Sequence, residues 1–260
     1  MTPTPPVVIV TGASRGIGLA VVRALLTSYK ARVVTLSRTR TPEISALASE
    51  HQENLALLEG DVTQEQSALS AIELAKSRFG RLDGLILNAG TLDPLGRIGS
   101  PESTVEGWKT LFDVNLFSTL HLIKAGLPPL RENRGRIIFV SSGAATGGVP
   151  SWGAYSASKA ALNSITRTLA QEEENVISIA VRPGVVDTEM QSTIRSKGLT
   201  LQMKPEDHER FVKLYASSQL VKPEDVGHVI AGLSIGAKPE LSGQFINWND
   251  ETIKEFQRQN

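Results

Sequence analysis

Tyr155 and Lys159 stand four residues apart in the stretch SWGAYSASKAALN, and Ser142 precedes them at the end of an apolar run. On a helix, positions i and i+4 share one face, a turn apart. A phenol beside an ammonium is a phenol whose ionised form is favoured. A serine hydroxyl brought in from a strand end can bind the same substrate oxygen. Together these groups are a proton donor and acceptor for alcohol–carbonyl chemistry. That chemistry needs a hydride carrier, so the rest of the chain must supply a site for one.

The first apolar run leads into Thr11-Gly12-Ala13-Ser14-Arg15-Gly16-Ile17-Gly18. Glycines at a sharp strand-to-helix turn let the backbone approach a pyrophosphate, which rests on the free N–H groups of the helix N-terminus. The spacing here is G-x-x-x-G-x-G rather than the G-x-G-x-x-G of the usual fingerprint. The second apolar run ends at Ser37 and Arg38, where an NAD site places an acid for the ribose hydroxyl. No carboxylate stands there, and Arg15 adds a second cation. Two guanidiniums and a hydroxyl suit a ribose 2′-phosphate, so the expected cofactor is NADP(H).

Elements of alternating type must position these groups. Strands are expected over residues 7–10, 32–36, 55–59, 84–88, 135–140, 176–181 and 243–246, most of them continuous apolar runs. Such runs suit parallel strands covered on both faces. Helices are expected over 16–29, 42–51, 64–79, 104–130, 154–174 and 223–234. The alternation predicts one α/β domain over 1–260, a doubly wound Rossmann-type parallel sheet of about seven strands with helices on both faces. Residues 187–221 break the rhythm after a strand end, where ligands bind in open α/β sheets, and are expected to form a substrate-binding lid with short helices near 188–196 and 205–217.

Composition narrows the function. Lys plus Arg and Asp plus Glu both number 27, so nothing points to nucleic acid or an anionic membrane surface. There is no cysteine, which excludes disulfides, thiolate metal sites and a cysteine nucleophile. His51, His121, His208 and His228 are scattered without ligand spacing, and no metal is expected. MTPTPP lacks the basic and long apolar regions of a targeting segment, so residues 1–6 read as a disordered lead-in and the chain as cytoplasmic.

TGASRGIG, Asp61-Val62, Asn88-Ala89-Gly90, Asn115, Ser142, Tyr155-x-x-x-Lys159 and Pro183-Gly184 occur in that order, and over nearly its whole length the chain resembles a short-chain dehydrogenase/reductase. The resemblance implies that Tyr155 is the acid/base and that Lys159 lowers its pKa and binds the nicotinamide ribose. It implies that Ser142 polarises the substrate carbonyl and that Asn115 positions a water in a proton relay. Gly12, Ser14, Arg15, Gly16, Ile17, Gly18, Ser37 and Arg38 would hold the adenosine and phosphate end of the cofactor. Asp61 and Val62 would contact adenine, Asn88, Ala89 and Gly90 would line the cleft, and Pro183, Gly184, Val186 and Thr188 would hold the nicotinamide. Asp61 also stands where it would cap the following helix.

NAGTLDPLGRI, VRPGVVDTEMQ and GQFINWND resemble a fungal subgroup near sepiapterin reductase and the benzil reductases. That implies NADPH-dependent reduction of aromatic or vicinal diketones. The C-terminal FINWNDETIKEFQRQN departs from the glycine-rich tetramer contact of many members, which leaves a homodimer or monomer open. The expected pocket wall, Leu92, Asp93, residues 144–149, Trp152 and Met190, is largely apolar and suits a hydrophobic ketone. Trp152 could stack on an aromatic substrate, while Asp93 could anchor the amino group of a pterin. An NADP-binding sensor without turnover and an alcohol dehydrogenase acting oxidatively are the other readings.

Overall fold

A computed structural model describes residues 4–258. Seven strands, β1 (Val7–Thr11), β2 (Arg32–Ser37), β3 (Leu55–Glu59), β4 (Gly84–Leu87), β5 (Arg136–Val140), β6 (Ile177–Arg182) and β7 (Phe245–Asn247), form one parallel sheet in the order β3-β2-β1-β4-β5-β6-β7. Both faces of each central strand are apolar. On β1, Val8 and Val10 enter one core and Val7 and Ile9 the other. The first core is closed by α1 (Gly16–Thr27), α2 (Pro42–Glu50) and α9 (Pro223–Gly236). The second is closed by α3 (Glu65–Phe79), α5 (Ser118–Asn133) and α6 (Gly153–Glu172). Period-two alternation on a sheet buried on both sides explains why the strands read as unbroken apolar runs.

The order reverses direction between β1 and β4, and it is at the carboxyl ends of the strands beside such a reversal that open α/β sheets bind ligands. Three expectations are corrected. The predicted helix over 104–130 is α4 (Val105–Phe112), a π-helical turn Asp113–Phe117 and α5, which runs through Pro128 and Pro129 to Asn133. The apolar period crosses the π turn unbroken, so the sequence hides it. The lead-in is tethered in part, because the Pro6 carbonyl accepts from the Arg32 N–H at 2.8 Å; residues 1–3 lie outside the described residues. Asp61 does not cap α3: its Oδ1 accepts from the N–H and hydroxyl of Thr63, closing the turn before the helix, whose N-cap is Gln64.

The 187–221 segment holds α7 (Glu189–Lys197) and α8 (Pro205–Ala216). Its two ends meet at one point, where Val186 and Val221 pair and the Asp187 N–H donates to the Val221 carbonyl at 2.9 Å. Its Ile194, Met203 and Phe211 pack with Tyr155, Trp152, Ala144 and Leu92. No helix among the described residues is long and apolar enough to cross a membrane, and none of their His, Asp and Glu groups cluster to hold a metal ion.

Candidate active site

The glycine turn follows β1 directly. Gly12 and Gly16 have φ of 63° and 55°, a left-handed backbone that glycine adopts at least cost. At Gly18 a Cβ would lie 2.3 Å from the Gly12 carbonyl oxygen and 2.6 Å from Asn88 Nδ2, so the turn closes this tightly only on glycine. Asn88 holds it from the side: its Nδ2 donates to the carbonyls of Thr11 and Gly12 at 2.9 and 3.1 Å. Thr11 Oγ1 accepts from the N–H groups of Asn88 and Ala89, both at 3.0 Å. The first turn of α1 carries no acidic residue, and its free N–H groups suit an anion. This cradle, which a single Cβ would fill, fits a dinucleotide pyrophosphate.

At the end of β2, Ser37 Oγ accepts from the Ala13 N–H at 2.9 Å, and its own O–H proton stays free to donate. Arg38 is exposed and makes no ion pair among the described residues. Arg15 differs from expectation: it is ion-paired with Glu189 at the start of α7 and so ties the glycine turn to the 187–221 segment. Thr188 lies on the same spot, since a Cβ on Gly16 would meet its Cγ2 at 3.2 Å. Arg40, which sequence reasoning did not single out, offsets Glu59 beside Ser37, with Nε–Oε2 at 3.7 Å. Val62 and Pro183 are buried, and Ser14 and Ile17 are half-buried around the turn.

Tyr155 and Lys159 lie on the first turns of α6, and both are buried. Lys159 Nζ donates to the Val140 carbonyl at 2.8 Å and sits 5.6 Å from the centre of the Tyr155 ring. Burial depresses its pKa from 10.5 to about 8. The Tyr155 phenol is pushed up by burial, with hydrogen bonding to Ser142 pulling it down. The ammonium is committed to Val140 and lies over the ring, and desolvation dominates.

Ser142 caps a short 3₁₀ turn, Gly143–Ala145, and accepts from the Ala144 N–H at 3.2 Å, which leaves its O–H proton for the Tyr155 oxygen or a substrate oxygen. Asn115, in the π-helical turn, is fully buried. Its Oδ1 accepts from the Thr91 N–H at 2.7 Å, and its Nδ2 donates to the Thr91 carbonyl at 2.9 Å and to Ser158 Oγ at 3.1 Å. The side chain thus clamps the residue after Gly90. A Cβ on Gly90 would stand 3.6 Å from Lys159 Nζ, so glycine keeps the space beside the ammonium open.

Trp152 has aromatic partners of its own within the chain. Its ring stacks on Phe211 of α8 at 5.7 Å and meets Tyr155 edge-on at 5.8 Å. Phe211 went unnoticed in the sequence because α8 buries no residue fully and its pattern reads as a surface helix. Met190 is partly buried against the same cluster, whereas Asp93 is exposed.

The family profile described as short chain dehydrogenase matches residues 6–198. The chain is 42% identical to an uncharacterized oxidoreductase of Schizosaccharomyces pombe, over 93% of this chain and 96% of the relative. It is 36% identical to a benzil reductase ((S)-benzoin forming) of Saccharomyces cerevisiae, over 95% and 97% of the two chains. A crystal structure of a short-chain dehydrogenase/reductase from Saccharomyces cerevisiae superposes with a TM-score of 0.93 at 35% identity, covering 97% of this chain and 100% of that one. With the glycine turn at the β1–β4 crevice, the Tyr-Lys pair on α6 and this breadth of similarity, the chain belongs to the short-chain dehydrogenase family of oxidoreductases.

Proposed function

We propose that the protein is an NADPH-dependent carbonyl reductase acting on aromatic or vicinal diketones. The observation that carries this reading is the buried apolar cluster around Tyr155, formed by Leu92, Ala144, Trp152, Ile194 and Met203. It suits a flat hydrophobic ketone. The similarity to a benzil reductase points the same way. Asp93, the one group that favoured a pterin, faces solvent.

Ser37 and Arg38 would hold the 2′-phosphate, and the glycine turn the pyrophosphate. NADPH, when bound, supplies the hydride. The chain supplies the rest. The Ser142 O–H donates to the substrate carbonyl oxygen and stabilises the developing negative charge. Tyr155, kept protonated at neutral pH by burial, gives its phenolic proton to that oxygen. The Lys159 ammonium stands beside the tyrosinate that remains and stabilises it. Asn115 fixes Thr91 and thereby Gly90, which keeps the floor of the cleft beside Lys159 in place. The 187–221 segment acts as a lid that excludes water from the transfer.

Steady oxidation of NADPH with a panel of aromatic 1,2-diketones and aldehydes tests the reading. Turnover with chiral hydroxyketone as product is the expected result. Tight NADPH binding without turnover on any carbonyl would leave a redox sensor instead.

The Lys159 pKa sets a pH dependence. The charged form is present below about 8 and lost above it. The reduction rate is expected to hold on the acid side and to fall as pH rises through about 8, read as kcat/KM against pH. Stability moves in the opposite sense. The folded pKa lies below the unfolded 10.5, so the contribution of Lys159 to stability rises with pH between about 8 and 10.5.

A further inference from the structure

Gln191 on α7 is 3% exposed, yet among the described residues neither its Nε2 nor its Oε1 has a hydrogen-bond partner. Native structures hold few such groups, because a buried amide without partners has lost its hydration for nothing. Gln191 lies one turn before Ile194, and positions i and i+3 share a helix face. Ile194 packs in the cluster that contains Tyr155, Trp152 and Ala144. The buried face of α7 that carries Gln191 is therefore the face turned toward the catalytic tyrosine. A second unpartnered group lies in the same cluster. The Trp152 indole Nε1 is buried without an acceptor among the described residues, on a side chain 7% exposed whose ring stands 5.8 Å from that of Tyr155.

We propose that Gln191 is a specificity-determining residue whose carboxamide N–H, together with the Trp152 indole N–H, receives the second carbonyl oxygen of a vicinal dicarbonyl substrate. This rests on the reductase reading above. A vicinal dicarbonyl brings two acceptor oxygens and no donor. Ser142 and Tyr155 serve the oxygen that is reduced. The other needs donors inside a closed apolar site, and these two N–H groups are buried and unclaimed. Hydride and proton add across the first carbonyl only, so the second remains an acceptor in the hydroxyketone product. A monoketone of the same shape leaves the carboxamide unpartnered, and sites built to hydrogen-bond a polar group discriminate strongly against analogues that lack it.

The test compares kcat/KM for 1,2-diphenyl-1,2-ethanedione and for the monoketone lacking one of its oxygens, in the wild type, Gln191→Met and Trp152→Phe. Methionine keeps the volume and helix propensity of glutamine without its amide. The diketone-to-monoketone ratio is expected to fall at least about tenfold in each variant. The unfolding midpoint of unliganded Gln191→Met is expected to rise by about 2 °C or more, because a buried unpartnered group has been removed. An unchanged ratio overturns the proposal, as does a proportional loss on both substrates with a lowered midpoint, which marks a structural role. Weakened NADPH binding in Gln191→Met also overturns it by assigning the carboxamide to the cofactor. If the wild type reduces neither ketone, the reductase reading itself falls and takes this proposal with it. That outcome is distinct from a wild type that reduces both with a ratio the variants leave intact.

Discussion

Tyr155→Phe is expected to lower kcat by about 10²–10⁴-fold, the usual worth of a positioned general acid, while NADPH binds as tightly as before. The substitution removes one oxygen and keeps the ring. That ring meets Trp152 edge-on at 5.8 Å and belongs to the cluster beneath the 187–221 segment, so the packing survives. Lys159 keeps its bond to the Val140 carbonyl, which does not involve the phenol. Fluorescence titration with NADPH and an unfolding curve separate the chemical loss from damage to the fold. Full activity in the variant would move the proton donor elsewhere, and an unchanged KM with lowered kcat would place the lost interaction in the transition state.

The strands and the glycine turn were legible because their physics is local. A strand buried on both faces must be apolar at every position, and the turn after β1 must be glycine where a Cβ would strike the Gly12 carbonyl. Tyr155 and Lys159 were legible for a similar reason, since i,i+4 spacing on a helix fixes their shared face. Contacts between distant segments were not legible. Nothing in the spacing of Arg15 announces that it pairs with Glu189, because that contact depends on where the 187–221 segment folds back. Phe211 hides in an amphipathic helix and becomes part of the site only by stacking on Trp152.

The weight of burial at Tyr155 was not legible either. Sequence spacing puts an ammonium near a phenol, but it reports neither burial nor the competing claim of the Val140 carbonyl. The π turn at 113–117 escaped because one inserted residue leaves the apolar pattern nearly intact. It is also what brings Asn115 onto Thr91, so a feature invisible to periodicity positions part of the site.

The second large effect concerns cofactor choice. Arg38→Leu is expected to raise the KM for NADPH by about 10–100-fold and to leave NADH nearly untouched, since a hydrogen bond to a charged group contributes about 1.5–3 kcal/mol. Arg38 is exposed and has no ion-pair partner among the described residues, so it is available to the 2′-phosphate. Arg15 is a weaker source of the same charge because Glu189 already engages it. Ser37→Asp goes further. The Ala13 N–H, which Ser37 Oγ now accepts at 2.9 Å, would keep an acceptor, so the turn is preserved. The new carboxylate would repel a 2′-phosphate and accept from the free ribose hydroxyl of NADH, the arrangement of NAD sites at this strand end. The double variant is expected to reverse the preference between the two cofactors, read as the ratio of their kcat/KM values. The contribution of an exposed arginine is screened by salt, so the wild-type KM for NADPH should rise with ionic strength and that of Arg38→Leu should respond less. A wild type that prefers NADH, or a double variant with the wild-type ratio, would remove Ser37 and Arg38 from cofactor selection.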